Sequence, residues 1–335
     1  MGEGHTILIG IDISKDTFDV TLLTTVDSAP AWTDKLNNDL AGVQDLLRRS
    51  DPAIAWVVEP TGRYSNLVVQ QGTQAGRRVL MAPPRAAKLF LKSQNTRVKS
   101  DKIDSLGLAA FGLSRCLRPF VPKDPVVDHL DQLLTARKGL VRSVQALKMQ
   151  RTELPRAADA LEPAIIALQK QIKDLDKRIG AIVQDTPKLE LVKRLQTIPG
   201  VGPVLAAAAG SRLIAKDFAS PDALTAYIGL DVGVRQSGKS IGRTKLSKQG
   251  DPELRRLFFL AALASLRCKQ SVFKDQYAVQ RNRGRSHVEA VNIVARKIAH
   301  VCLALRKSGG TFDASKVGHR QSTETEPGQA SNDLT

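Results

Sequence analysis

Apolar residues are unevenly spaced along the first 125 positions, and the spacing changes period several times. Residues 6–12 (TILIGID) and 17–25 (TFDVTLLTT) are short, β-rich runs, and AWTDK makes a weaker third. LAGVQDLLRR then has helical spacing, and residues 53–59 (AIAWVVE) form a continuous apolar run of the kind a buried strand shows. NLVVQQGTQAG reads as a helix ending at Gly76, RRVLMAP as a short strand before PPRAAKLFLKS, and residues 101–113 as a further helix. The order ββ(β)αβαβα predicts an α/β domain with a mixed sheet over residues 1–125.

From about residue 126 the period becomes helical. Ile165, Leu168, Ile172, Leu175, Ile179 and Ile182 recur at steps of three and four with charges between them. Such a seam suits either a helical hairpin or short coiled coil, or a helix packed on its own domain. Pro155, Pro163 and Pro187 punctuate this linker, residues 126–187. A third, mostly helical region covers residues 188–315. It opens with TIPGVGPVLAAAAG, a glycine turn before a small-residue helix, similar to a helix-hairpin-helix turn whose N–H groups can face a phosphate. The tail, residues 316–335, is polar and aperiodic and reads as disordered.

Charge narrows the choice of partner. The 335 residues carry a formal net charge of +17. A surface so basic attracts polyanions, nucleic acid first, though a basic protein without such a partner fits the same number. Cys116, Cys268 and Cys302 lie far apart and the five histidines do not cluster, so neither a zinc site nor a disulfide framework is expected. No apolar run suits a membrane span, and the N-terminus resembles a strand rather than a signal peptide. A cytoplasmic protein without a membrane partner is the expectation.

The candidate chemistry lies in four carboxylates. Asp12 ends the first predicted strand, Glu59 ends the fourth, and Asp101 and Asp104 share one face at the start of a late helix. Four acids converging at one sheet edge repel unless a divalent cation lies between them, and hard oxygen donors suit Mg²⁺ or Mn²⁺. This is the RNase H-like arrangement of Holliday-junction resolvases. Each acid alone is equally a turn former or a helix cap. Arg97, Lys99 and Lys102 surround the last pair, a setting that suits a phosphate-backbone substrate.

Residues 233–240, GVRQSGKS, match the phosphate-cradling pattern G-x-x-x-x-G-K-[ST]. That loop needs a strand before it and a helix immediately after, whereas IGRTKLSKQG delays the next helix to Asp251. The match is therefore read as accidental. What remains is a basic loop with Ser237 among Arg235, Lys239, Arg243, Lys245 and Lys248. It is either a phosphate-contacting loop or the seat of a nucleophilic serine activated in space.

Taken together and in order, IGIDISKDTFDV, VVEPTGRY, NTRVKSDKIDS, TIPGVGPVLAAAAG, AYIGL, RQSGKS and LSKQGDPELRR resemble the insertion-sequence family 110 transposases, over about residues 6–314. The resemblance implies an RNase H-like domain with Asp12, Glu59, Asp101 and Asp104 as its acidic set, a coiled-coil middle used in assembly, and a C-terminal transposase domain. There Ser237 would be the nucleophile. It also implies Mg²⁺, a bridge RNA as guide, double-stranded donor and target DNA, and a tetramer whose active site is shared between subunits. Asp231 and Val232 depart from the proline that many relatives carry after Gly229-Leu230. Two other readings stay open: a junction-type endonuclease that uses water, and a nucleic-acid binder without activity.

Overall fold

The computed structural model describes residues 7–26, 28–60, 62–93, 101–233, 236–237, 240–241, 245–269 and 271–317, with the side chains of 101–103, 232–233, 236–237, 240–241 and 245 left aside. It divides into two units at Pro122/Lys123.

The first unit begins with β1 (Leu8–Ile13), β2 (Thr17–Leu23), β3 (Trp32–Asn37), α1 (Leu40–Arg49), β4 (Ala55–Val58) and α2 (Asn66–Gln74). It continues with β5 (Val79–Met81), α3 (Pro84–Ser93), α4 (Asp101–Ser114) and the edge strand β6 (Arg118–Pro119). The sheet order is β3-β2-β1-β4-β5-β6. The first three strands form an antiparallel meander, β4 and β5 continue parallel to β1, and β6 closes antiparallel. This is the RNase H-like architecture.

Strand alternation sorts the side chains into two cores. Ile9, Ile11, Phe18, Val20, Trp56 and Val58 meet Val43 and Leu46 of α1 and Val68 and Val69 of α2 on one face. Leu8, Ala55, Val57 and Leu80 meet Leu108 and Phe111 of α4 on the other. A fully buried aliphatic side chain such as Leu8 or Leu108 contributes about 2 kcal/mol. Helix α4 approaches β1 at Gly10, where a Cβ would stand 2.1 Å from the Ser105 carbonyl oxygen and 2.5 Å from the Ala109 nitrogen. Beside it, the buried hydroxyls of Thr21 and Ser105 share a 2.8 Å hydrogen bond.

In the second unit, α5 (Pro125–Glu153) and α6 (Ala158–Asp185) pair antiparallel. Arg137 on α5 grips Asp176 on α6 with two bonds of 2.5 and 3.2 Å, and Arg151 pairs with Glu162 nearer the tip. Both readings of the α6 seam hold, at different ends. Ile179 and Val183 sink into the main core of the unit, with Leu175 and Ile182 packed against it. Further out Ile165 is buried and Leu168 and Ile172 are half-covered, as in a two-helix hairpin. Pro163 lies inside α6 rather than ending it.

The remaining elements are α7 (Glu190–Leu195), α8 (Pro203–Ala215), α9 (Pro221–Ile228), β7 (Val232–Gly233), β8 (Gln236–Ser237), β9 (Ser240–Ile241) and β10 (Lys245–Leu246). They end with α10 (Pro252–Ser265), α11 (Val272–Asn282) and α12 (His287–Ser308). Helix α12 is the centre of the core, burying Val291, Val294, Ala295, Ile298, Ala299 and Cys302. The expected glycine turn joins α7 to α8. Gly200 has φ +86°, and a Cβ there would come within 2.4 Å of the Ala261 carbonyl oxygen on α10, so only glycine fits. The polar tail beyond residue 317 lies outside the described residues. Among the described residues no helix is long and apolar enough to cross a membrane.

One acid is part of this core. Asp131 on α5 is 8% exposed and accepts from Lys123 Nζ at 2.7 Å, from the Ser211 hydroxyl and from Arg212. Burial pushes its carboxyl up, but the Lys123 and Ser211 bonds and the Arg212 charge outweigh burial and hold it below the usual carboxylate range.

Two predictions follow from packing. Gly10→Val should force α4 off β1 and cost about 2 kcal/mol, within the range for overpacked cores. A thermal melt with an unchanged midpoint would contradict that close approach. Asp131→Asn should cost about 2 kcal/mol at pH 7, less than a fully buried pair because Lys123 is half exposed. A depressed carboxyl stabilises above its unfolded pKa and loses that contribution as pH falls through its lowered value. The gap between wild type and variant in denaturant titrations should therefore shrink as pH falls from the ordinary aspartate value through the lowered native one; a gap independent of pH would remove the ionic role.

Candidate active site

The acidic cluster is built by register. Gly10 pairs with Val57 and Ile11 with Val58 across the parallel β1–β4 ladder. The next residues on the two strands are Asp12 and Glu59. Alternation puts Asp12 on the face of Leu8 and Gly10, and Glu59 on the face of Ala55 and Val57, the face that α4 covers. Both are half-buried.

Helix α4 supplies the other two. A Cβ on Gly112 would meet Val57 and Leu8, whereas Ser105, two turns earlier, lies over Gly10 and Thr21. The helix therefore runs antiparallel to β1, and its N-terminal turn arrives where β1 and β4 end. Asp101 opens that turn and half-buried Asp104 follows on it, one helical repeat before Leu108. Burial pushes the Glu59 carboxyl up, the negative charge of Asp104 adds to the rise, and Lys88 on α3 partly opposes it. Glu59 and Asp104 thus lie within electrostatic reach of each other.

Two groups here were not singled out in the sequence. Asp19 on β2 pairs in register with Asp12, is 5% exposed, and meets Lys35 of β3 at 3.4 Å. Lys88 is the second, and the spacing of Arg85, Lys88 and Lys92 along one exposed face of α3 was the available signal. Arg97 and Lys99 lie outside the described residues, and Lys102 is placed by its backbone alone, in the first turn of α4.

The donor set fits a hard divalent cation. Its members are carboxylates at matched strand ends and a helix turn that carries two more, and Glu59 is raised by burial first and then by the charge of one of them, Asp104. Among the described residues no three such groups close into a cage by themselves, and the Asp101 side chain is outside that description.

The serine loop belongs to the second unit. Ser237 in β8 pairs with Ser240 in β9, and β7 pairs with β10, so the serine lies on the inner of two short ladders nested in sequence, here called the arm. Ser240 begins a strand and the next helix starts at Pro252, which removes a nucleotide-binding phosphate loop. Arg235, Lys239 and Arg243 lie outside the described residues, and Lys245 is placed by its backbone in β10. Lys248 is exposed, with φ +54°.

The base of the arm is held mostly by residues of AYIGL and LSKQGDPELRR, joined by Asp231 and by Arg296 of α12. The Ser247 hydroxyl donates to the Asp231 carboxylate, and the Ser247 N–H donates to the Asp231 carbonyl at 2.9 Å. Arg296 of α12 donates to the Leu230 carbonyl at 2.8 Å, and Arg255 of α10 to that of Ile228 at 3.1 Å. Gly229 takes φ +77°, and a Cβ on Gly250 would lie 2.4 Å from the Tyr227 carbonyl oxygen.

Comparison with known proteins agrees with both units. A DEDD transposase model of the IS110 group matches residues 9–154, and the model described as Transposase IS116/IS110/IS902 family matches residues 192–278. The chain is 25% identical over 319 residues to the pilin gene-inverting protein of Moraxella bovis, covering 91% of this chain and 97% of that protein. It is 22% identical over 398 residues to the insertion element IS116 uncharacterized 44.8 kDa protein of Streptomyces clavuligerus, covering 93% and 94%. With one family model on each unit and relatives spanning nearly the whole length, the chain belongs to the IS116/IS110/IS902 family of transposases.

Proposed function

We propose that this transposase is an RNA-guided DNA recombinase that cuts through a serine–DNA intermediate. The observation that carries the proposal is the matched register of Asp12 and Glu59 beneath the acidic first turn of α4. Asp12, Glu59, Asp101 and Asp104 would hold Mg²⁺ or Mn²⁺. The bound cation supplies positive charge at the attacked phosphate and at the departing oxygen. The Ser237 hydroxyl loses its proton and attacks phosphorus, a P–O bond to deoxyribose breaks, and the leaving oxygen takes up a proton. The phosphate stays esterified to Ser237 until a strand hydroxyl displaces it. Arg97, Lys99, Lys102, Arg235, Lys239, Arg243, Lys245 and Lys248 would contact phosphates.

A bridge RNA would select donor and target duplexes, and a tetramer would bring the serine of one subunit to the carboxylates of another. The net charge of +17 supports a polyanionic partner. The Moraxella relative is named for inverting a pilin gene, which fits a reaction that rejoins the strands it cuts. A junction endonuclease using water needs the same carboxylates but not Ser237.

Covalent trapping separates the two. The protein is incubated with Mg²⁺, RNA from the flanks of its element and junction DNA, then run on a denaturing gel. Wild type should give a protein–DNA adduct. Both Ser237→Ala and Asp12→Asn should give none, with DNA binding retained. Cleavage by Ser237→Ala without adduct would install the water nuclease instead.

The arm yields a finer prediction. Asp231→Ala and Ser247→Ala should each slow adduct formation about fivefold, as expected for one hydrogen bond of about 1 kcal/mol that positions the arm. The double variant should be no slower than either single. Additive losses in that cycle would show that the two side chains do not act as a pair.

A further inference from the structure

We infer that the apex joining α11 to α12, which carries Arg281, Arg283 and Arg285, is a contact site for the phosphate backbone of duplex DNA. Residues 281–289 are exposed throughout. Among the described residues none of the three arginines is in an ion pair, and the three lie within five positions of one another on one exposed turn. The acid nearest in sequence, Glu289, accepts from the Ser286 N–H and the Ser286 hydroxyl, each at 2.8 Å, and feels the charge of Arg285 as the smallest of the influences that hold it low.

The apex is a built feature rather than a loose basic loop. Gly284 takes φ +78°, its N–H donates to the Arg281 carbonyl at 3.0 Å, and the Arg285 N–H donates to that of Gln280 at 3.2 Å. The Arg281 guanidinium donates to the Arg285 carbonyl at 2.7 Å. A capping box at Ser286 starts α12. Tyr277 and His287 pack edge to face, their hydroxyl and Nδ1 2.8 Å apart. The backbone beneath the arginines is thus fixed before any ligand arrives, so little ordering cost remains for binding.

The chemistry selects the partner. Guanidinium forks match phosphate oxygens in a bidentate way. The two aromatic rings are engaged with each other, so the apex offers cations rather than a platform for stacking single-stranded bases. None of the cations assigned above to nucleic-acid contact lies here. The inference rests on the reading of this protein as one that handles DNA, and adds a surface to it.

The test is salt-dependent binding of a fluorescent duplex of arbitrary sequence to the full-length protein, without RNA. Arg283→Gln/Arg285→Gln removes two guanidiniums that, among the described residues, make no hydrogen bond or ion pair. The slope of log affinity against log salt should become shallower by about 1.8, two contacts at about 0.9 each. A comparator with the same charge change, Lys170→Gln/Lys173→Gln on the exposed side of α6, should keep the wild-type slope. Arg283→Lys/Arg285→Lys should restore most of it. An unchanged slope in the arginine variant, an equal change in the comparator, or a change seen only with duplex RNA would each overturn the assignment. If wild type itself does not bind the duplex, the DNA reading falls with it, whereas wild-type binding with an unaltered variant slope removes the apex alone.

Discussion

Helix α4 lies against β1 so closely that no side chain fits between them at Gly10, where a Cβ would stand 2.1 Å from a backbone oxygen. The acidic site depends on that approach. Asp12 and Glu59 are fixed by strand register, but neither strand carries the other two acids. Those arrive only because α4 runs antiparallel to β1 and its first turn overlies the strand ends. The Thr21–Ser105 hydrogen bond and the Leu108 and Phe111 packing fix the helix in rotation as well as in distance. A displacement of α4 by the width of a methyl group would move Asp104 by a similar amount, while leaving the strand carboxylates where they are.

The chain treats its half-buried and buried acids in two ways. Asp131 is surrounded by Lys123, Ser211 and Arg212, which more than repay its burial. Asp19 has Lys35 opposite it. Glu59 is the reverse case. Burial and the charge of Asp104 both disfavour its ionised form, and Lys88 answers only in part. A fold selected for stability alone would place an arginine there or replace one acid, since like charges at close range are destabilising.

What could be read from the sequence follows the range of the interactions concerned. The first two strands, α1, β4 and α4 were legible because alternation and 3.6-residue spacing are local consequences of burial on one face. Asp12 and Glu59 were legible as strand ends, and Asp101 and Asp104 as a pair on one helix face. The two-residue edge strand β6 has no periodicity to detect. Asp19 was passed over because a polar residue inside a strand reads as solvent-facing, and only the docking of α4 makes that face interior. The Asp131 cluster joins residues 80 and 81 positions apart, a separation over which no spacing rule operates. The α6 seam looked ambiguous because it has two environments along one helix, core at one end and hairpin at the other.

The serine loop shows how the same letters can serve two architectures. A phosphate loop and this arm both need glycines where the backbone turns and a lysine near phosphate, so G-x-x-x-x-G-K-S arises in either. The deciding information lies outside the motif. Two ladders of two residue pairs are too short to be stable alone, so their geometry must be imposed from below. The Asp231–Ser247 clamp, the left-handed Gly229, the close approach at Gly250, and the Arg255 and Arg296 donors supply that base from three helices of the unit.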